Sequence, residues 1–229
     1  MSRRSLDFIF AGGGAALAVL LLIVGFVLRD QANFANSYVK DQLGQQKITF
    51  KTADSLTDEE KSWKPGSRCL TDYAGELMQT GKQAECYANF FIALHFETSA
   101  KNAAFPGETY ATLGNIQTTL RAQIADAKAK GDTTAADAAQ KKLDSATSLR
   151  TTAQTAETLR GLLLTSYGFS IFGDRAGLVA SVCFMIGGLL VVLSIAGFVH
   201  ALLTPERSSQ GLRPGPLVPA GGRAGGARG

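Results

Sequence analysis

Few side chains of this protein are of the types that carry acid–base or metal chemistry, and they are widely separated. Only two histidines occur in 229 residues, His95 and His200, whereas a zinc site or a catalytic triad requires several convergent groups. The acidic run Asp58-Glu59-Glu60 has the oxygen ligands that a divalent cation prefers, but such a run more commonly forms a solvated turn. No serine or acidic residue stands in a nucleophile-elbow or phosphate-loop motif. We therefore predict that the protein is not an enzyme and has no catalytic residue, no cofactor and no metal site.

The three cysteines offer one covalent possibility. Cys69 and Cys86 lie in the same polar stretch of the chain, whereas Cys183 lies in an apolar segment. If the polar stretch is in an oxidising compartment, the first two cysteines can form a disulfide. The alternative is a pair of reduced cysteines that pack as small apolar side chains. We predict a disulfide between Cys69 and Cys86.

Two apolar segments position the rest of the chain. Phe8 to Leu28 and Ala176 to Leu203 contain no Asp, Glu, Lys or Arg. As helices they are about 31 and 42 Å long, and the hydrocarbon core of a bilayer is about 30 Å thick. Each segment is long enough to span a membrane, and the second must tilt or emerge. A cleavable signal peptide is the alternative for the first segment, but its apolar run is longer than usual and no A-x-A cleavage pattern follows it.

The charges at the two ends of the chain predict its orientation. Two arginines and one aspartate precede the first apolar segment, and four arginines and one glutamate follow the second. These flanks account for the whole net charge of +4, because the 17 basic and 17 acidic residues between them cancel. Flanks rich in Lys and Arg remain in the cytoplasm. We predict a multi-pass protein of the cell membrane with both termini cytoplasmic, and the basic pI then reflects topology and not nucleic-acid binding.

The segment between the apolar blocks, residues 29–175, contains both helical periodicity and polar loops. Residues 48–68 are polar and are predicted to form a loop with at most a short helical turn. Helical spacing returns at Asp72, and Gly81 marks either a kink or the meeting of two helices. The aromatic stretch from Tyr87 to Phe96 has one apolar face, which we expect to complete a small core.

Two longer helices are predicted after this stretch, from Glu108 to Lys130 and from Thr133 to about Thr165. Between them, Gly131 can adopt a positive φ angle, and Asp132 or Thr133 can cap the second helix. The apolar seam of the second helix is composed mostly of alanines, which allow a close approach of the two helices, as in a coiled coil. This seam comprises Ala136, Ala139, Leu143, Ala146, Leu149, Ala153, Ala156, Leu159 and Leu163.

The predicted fold class is an all-α membrane protein, with two transmembrane helices flanking an extracytoplasmic helical hairpin or small bundle. Residues 1–7 form a cytoplasmic N-terminus, and residues 8–28 and 176–203 form the transmembrane helices. Residues 29–175 form the extracytoplasmic domain. Residues 204–229, rich in Pro, Gly and Arg, are predicted to be a disordered cytoplasmic tail.

Two weaker patterns accompany this organisation. Small residues recur at four-residue spacing in both spans, for example Ala11 with Ala15 and Gly197 with Ala201. They are compatible with pairing of the two spans or with a homodimer. In the tail, an R-x-x-P-x-x-P pattern begins at Arg213, but a chance match is the better interpretation in a segment of such low complexity.

Four stretches of the chain occur in an order that is found elsewhere. They are Arg3 to Phe8, Ala32 to Asn36 with Gln42 to Phe50, Tyr73 to Phe91, and Tyr167 to Phe169. Their order resembles an uncharacterised group of actinobacterial two-pass membrane proteins, some of which are labelled as aromatic ring-opening dioxygenases. That activity requires iron held by His and carboxylate ligands, and this chain has a single extracytoplasmic histidine. The resemblance therefore implies the two-pass layout and not the reaction.

Two functions fit these features. The first is a membrane-anchored extracytoplasmic interaction or scaffold protein that binds another membrane or envelope protein, or itself as a homodimer. The alternative is a ligand-sensing domain that signals through a partner subunit. The lipid bilayer is a partner in either case, and nucleic acid is not expected because the chain lacks a basic patch with interleaved aromatic residues.

Overall fold

The computed structural model describes residues 3–62 and 68–204. Over these residues the protein is helical, which confirms the all-α class, and its two longest helices are α1 (Arg3–Gln45) and α7 (Thr133–Leu203). Both are long and apolar enough to cross a membrane. The predictions for the C-terminal tail fall on residues 205–229, outside the described residues.

Shorter helical elements lie between the two long helices. They are α2 (Asp58–Ser62), α3 (Cys69–Asp72), α4 (Gly81–Cys86), α5 (Ala93–Asn102) and α6 (Tyr110–Ala129). A π-helical segment, Tyr87–Ile92, joins α4 to α5 without a break, and a single 3₁₀ turn, Ala53–Ser55, precedes α2. Residues 48–62 of the predicted polar loop are therefore more helical than expected, and residues 63–67 of that loop lie outside the described residues. Asp132 caps α7, since its carboxylate accepts a hydrogen bond of 2.9 Å from the Ala135 N–H.

Contacts divide the chain into two compact units. The first is formed by the described residues up to Leu20 together with those from Ile186 onwards. In this unit small side chains pack at the helix contact: Ala11 and Ala201 are buried, and a methyl group at Gly197 would lie 3.2 Å from the Cβ of Ala11. These small residues thus serve pairing of α1 with α7 inside one chain, one of the two roles that the sequence left open.

The second unit, Leu21–Met185, contains two clusters of buried apolar side chains. The first cluster comprises Val39, Leu43, Phe50, Leu56, Leu70, Met78, Ala84, Cys86, Ala88 and Leu163. The second cluster comprises Ala100, Leu113, Leu120, Ala146, Leu149 and Ala153. The aromatic stretch predicted to complete the core contributes to both, since Phe91 packs on the first cluster and Phe96 on the second.

The alanine seam of α7 packs against α6 only over its first part. Arg150 Nε donates a hydrogen bond of 3.1 Å to the carbonyl of Tyr110, the first residue of α6. Beyond this point α7 extends past α6, so its apolar residues meet other partners. Leu163 is buried in the first cluster, whereas Leu159 is 46% exposed. The prediction that Leu159 belongs to the seam is therefore wrong.

Gly81 does not kink a helix or join two helices, contrary to the prediction. It is the first residue of α4, and Thr80 caps that helix in a reciprocal arrangement with Gln83. The residues before it are extended: Leu77 forms an antiparallel bridge with Thr49. Helical spacing of apolar residues misled the prediction here, because an extended segment that buries alternate side chains can match the same short pattern.

Gly81 allows α4 to contact α7 directly. A methyl group at this position would lie 2.6 Å from Ser170 Cβ and 3.1 Å from Tyr167 Cα. The Ser170 hydroxyl is itself held by the Tyr167 carbonyl at 2.8 Å. We expect Gly81→Ala to lower the free energy of unfolding by about 1.5 kcal/mol through overpacking. Urea titration of the full-length protein in membranes, read by pulse proteolysis, measures this change.

Two further variants control this experiment. Gly168→Ala adds the same methyl group on α7 where no heavy atom lies within 4 Å, so it should leave the stability unchanged or slightly higher. Ser170→Gly removes the clashing side chain, so Gly81→Ala should cost less in the Ser170→Gly background than in the unsubstituted protein; the Ser170→Gly single variant supplies the baseline, because glycine itself weakens a helix. An equal cost of Gly81→Ala in the two backgrounds would show that the contact with Ser170 is not the cause.

Candidate functional site

One carboxylate is buried among charged and aromatic side chains. Glu60 and Thr57 cap the start of α2: the Thr57 N–H donates to Glu60 Oε2 at 2.8 Å, and the Glu60 N–H donates to Thr57 Oγ1 at 3.1 Å. Glu60 Oε1 accepts a hydrogen bond of 2.7 Å from Lys51 Nζ and lies 3.0 Å from His95 Nε2. The Glu60 side chain is 1% exposed. We call Lys51, Glu60 and His95 the charged cluster.

The expected solvated acidic turn is thus wrong at Glu60. Asp58 and Glu59 face solvent, but Glu60 lies inside the domain. The acidic run does not converge on a cation site either, because Lys51 and His95 occupy the Glu60 oxygen that would bind the ion. Among residues 3–62 and 68–204, no three His, Cys, Asp or Glu side chains come together as a metal site.

The electrostatics of the charged cluster keep Glu60 ionised. Burial would raise the pKa of the Glu60 carboxyl, but hydrogen bonds from the Lys51 ammonium, the Thr57 N–H and His95 outweigh it and lower the pKa from 4.5 to about 2. Lys51 also lies over the Phe91 ring, 5.5 Å from its centroid. Lys51 lies in the segment after α1, Phe91 in the π segment and His95 in α5. The contacts of the charged cluster therefore hold these three segments together.

The remaining histidine and the cysteines lie elsewhere. His200, in the first unit, has its Nε2 4.0 Å from Asp7 Oδ2, and its side chain is 73% exposed. Cys69 and Cys86 form a disulfide with an S–S distance of 2.05 Å and a Cα–Cα distance of 5.9 Å. Cys183 is a buried free thiol. The disulfide links the start of α3 to the end of α4, directly before the π segment.

A groove of 560 Å³ lies beside this π segment in the second unit. Its apolar walls come from four parts of the chain. They include Tyr38 and Leu43 of α1, Ile48 of the segment that follows α1, Tyr87 and Phe91 of the π segment, and Leu159 and Leu162 of α7. Its polar lining groups are the amides of Gln42 and Gln46 and the hydroxyls of Thr165 and Ser166. Ligand sites commonly have about this size and consist of apolar walls with a few polar groups.

The π segment shapes one wall of this groove. The Ala88 carbonyl accepts the Ala93 N–H, five residues later, and also a hydrogen bond of 3.2 Å from Arg160 Nε on α7. The rings of Tyr87 and Phe91 stack with their centroids 4.6 Å apart. Burial, and to a smaller extent the charge on Glu60, raise the pKa of Tyr87, so its phenol stays neutral. Single π turns inside helices are rare and occur frequently at functional sites.

The groove could not be predicted from the sequence, because its walls come from distant parts of the chain. One signal was present in the run Leu162-Leu163-Leu164 of α7. Three consecutive leucines point in different directions around a helix, so a single buried face cannot contain all of them. Leu163 is buried and Leu162 is 63% exposed, so the excess apolar residue lies in the groove.

The comparisons with known proteins give no relative from which a function is transferred. The chain matches no protein-family model, no curated protein and no solved structure.

Proposed function

We propose that the protein is a membrane-anchored extracytoplasmic interaction protein that binds its partner in the groove between α1, the π segment and α7. The observation that carries this proposal is the exposure of large apolar side chains in the groove: Leu162 is 63% and Tyr38 is 49% exposed. Contiguous apolar surface in contact with water is unfavourable by about 25 cal/mol per Å² and marks interaction sites on many proteins.

The membrane anchor is supported by α1 and α7. Only 17% of the most apolar window of each helix is buried within the chain, so most of its apolar side chains are available to lipid. The whole net charge of +4 lies on the two termini, which favours cytoplasmic termini and an extracytoplasmic domain at residues 29–175. The Cys69–Cys86 disulfide is compatible with that compartment.

Ligand sensing is a second candidate that uses the same groove. Its volume of 560 Å³ lies within the range of about 300–1,000 Å³ that is common for small-molecule sites. In this case the bound ligand would change the contacts of the domain with a signalling partner subunit.

Site-specific photocrosslinking in native membranes tests the proposed function. A photoreactive phenylalanine analogue at Leu162 is expected to form a covalent adduct with the occupant of the groove. The same analogue at Gln154, an exposed position about two turns earlier on α7 and outside the groove, serves as the matched control.

The outcome depends on the difference between the two positions. An adduct formed at Leu162 and not at Gln154, and lost when Tyr38→Arg places a charge on the opposite wall, supports binding in the groove. Equal labelling at the two positions, or none at Leu162, contradicts it. Resistance of each variant to pulse proteolysis in the absence of urea verifies that it is folded.

A further inference from the structure

We propose that the groove holds one acyl chain of a membrane phospholipid, drawn from the extracytoplasmic leaflet. This inference rests on the proposed function, because it names the chemical class of the occupant of the same groove. A helix of a partner protein and a second copy of this chain are the competing occupants, and the experiment below separates them.

The lining of the groove is suited to an uncharged chain. Every side chain that lines it is uncharged, and its polar groups are amides and hydroxyls such as those of Gln42 and Thr165. A charged occupant would lose hydration there without gaining an ion pair, and a polar one would need matching hydrogen bonds. An acyl chain has neither requirement, and its transfer from bilayer to groove exchanges one apolar environment for another.

Exposed aromatic side chains extend from the groove towards the apolar segment of α1. Phe34 is 57% exposed and stacks on Tyr38 with their centroids 5.8 Å apart. Tyr38, which lines the groove, meets Phe169 of α7 edge to face at 6.0 Å. Phe172, 77% exposed, lies one turn closer to the apolar segment of α7. The rings of Phe34, Tyr38 and Phe169 thus form a continuous apolar track on the outside of the domain.

The distance from the apolar segment of α1 to the groove matches the length of an acyl chain. Ten residues separate Leu28, the end of the apolar segment, from Tyr38 at the groove, which is about 15 Å along a helix. An acyl chain spans one leaflet, or about half of the roughly 30 Å hydrocarbon core. A phospholipid with its head group at the membrane surface can therefore place one chain along Phe34 and Tyr38 and its end in the groove.

Photolabelling with a modified phospholipid tests this inference. The full-length protein is reconstituted into phosphatidylcholine–phosphatidylglycerol vesicles that contain a small fraction of phosphatidylcholine with a diazirine near the end of one acyl chain. After illumination, peptide mass spectrometry maps the label. We expect label on the groove peptides that contain Tyr38, Phe91 and Leu162, in addition to the two apolar segments, which serve as an internal control.

Two substitutions on α7 test whether the labelling depends on the groove. Leu162→Arg places a charge in the groove and is expected to reduce labelling of the groove peptides about tenfold, with the apolar segments labelled as before. Gln154→Arg adds the same charge outside the groove and should change neither the labelling of the groove peptides nor that of the apolar segments. Because the labelled apolar segments report insertion of each variant, a loss restricted to the groove is not explained by loss of the protein from the membrane.

The possible outcomes separate this inference from the proposed function. Labelled apolar segments without labelled groove peptides would overturn the lipid assignment. If the photoreactive residue at Leu162 then crosslinks to a protein or to a second copy of the chain, the interaction function stands with a different occupant. If neither experiment yields an adduct in the groove, both proposals fail.

Discussion

Replacement of Cys69 and Cys86 by serine is expected to lower the free energy of unfolding of the second unit by about 3 kcal/mol. The disulfide joins residues 17 positions apart, and closing a loop of this length restricts the unfolded chain by about that amount. Within the loop lies Met78, which is fully buried in the first cluster. Loss of the link therefore weakens the part of the core that supports the π segment and one wall of the groove.

Urea titration of membrane-embedded protein, read by pulse proteolysis, measures this loss. Cys183→Ala is the matched control, because it removes the free thiol that takes no part in the disulfide, and it should cost much less than the double replacement. A double variant as stable as the unsubstituted protein would contradict the expected contribution. Alkylation of all three thiols without prior reduction in freshly prepared membranes would contradict both the pairing and the extracytoplasmic placement.

Glu60→Gln is expected to cost about 2 kcal/mol of unfolding free energy. The substitution preserves the size of the side chain but removes the negative charge that Lys51 and His95 share. Breaking a fully buried pair costs more, about 3 to 5 kcal/mol. The value here is smaller because the Lys51 and His95 side chains are 36% and 48% exposed and can be hydrated when the charge is gone. Glu59→Gln, the exposed neighbour on α2, should have little effect.

The same carboxylate makes stability depend on pH at the acidic end. Its pKa is lowered from 4.5 to about 2 in the folded protein, so the unfolded chain binds a proton more readily than the folded one. The stabilisation is fully present above pH 4.5 and is lost as the pH falls from 4.5 to about 2. Glu60→Gln lacks this contribution, and its stability should decline less over that range. Parallel curves for the two proteins would refute the assigned role of Glu60.

The helical elements could be predicted where one face of a helix carries the signal. Leu113 and Leu120 of α6 and Ala146 of α7 recur at helical spacing, and all three are buried. Gly131 adopts the positive φ angle expected of the turn between these helices. The spacing of apolar residues led to a wrong prediction at Leu77, because two adjacent apolar residues before a helix are compatible with either an extended or a helical backbone.

The charged cluster was only partly visible in the sequence. Glu60 and His95 stood out in the sequence by residue type, but their side chains meet across 35 residues of chain, and no sequence pattern pointed to Lys51. Three adjacent acidic residues look alike in sequence. Their difference arises when α2 packs with one side on the domain, which leaves Asp58 and Glu59 in water and buries Glu60.

The properties that depend only on the order of residues along the chain could be predicted from the sequence alone. They are the helical class, the two apolar segments and the confinement of the net charge to the termini, because hydropathy and charge are local quantities. The groove could not be predicted in this way. Its walls bring Tyr38, Phe91 and Leu162 together from three helical segments far apart in sequence, and the direction of each side chain depends on how those segments pack. Periodicity shows that a helix has an apolar face, but the neighbouring helices determine which of its apolar residues are covered and which remain exposed.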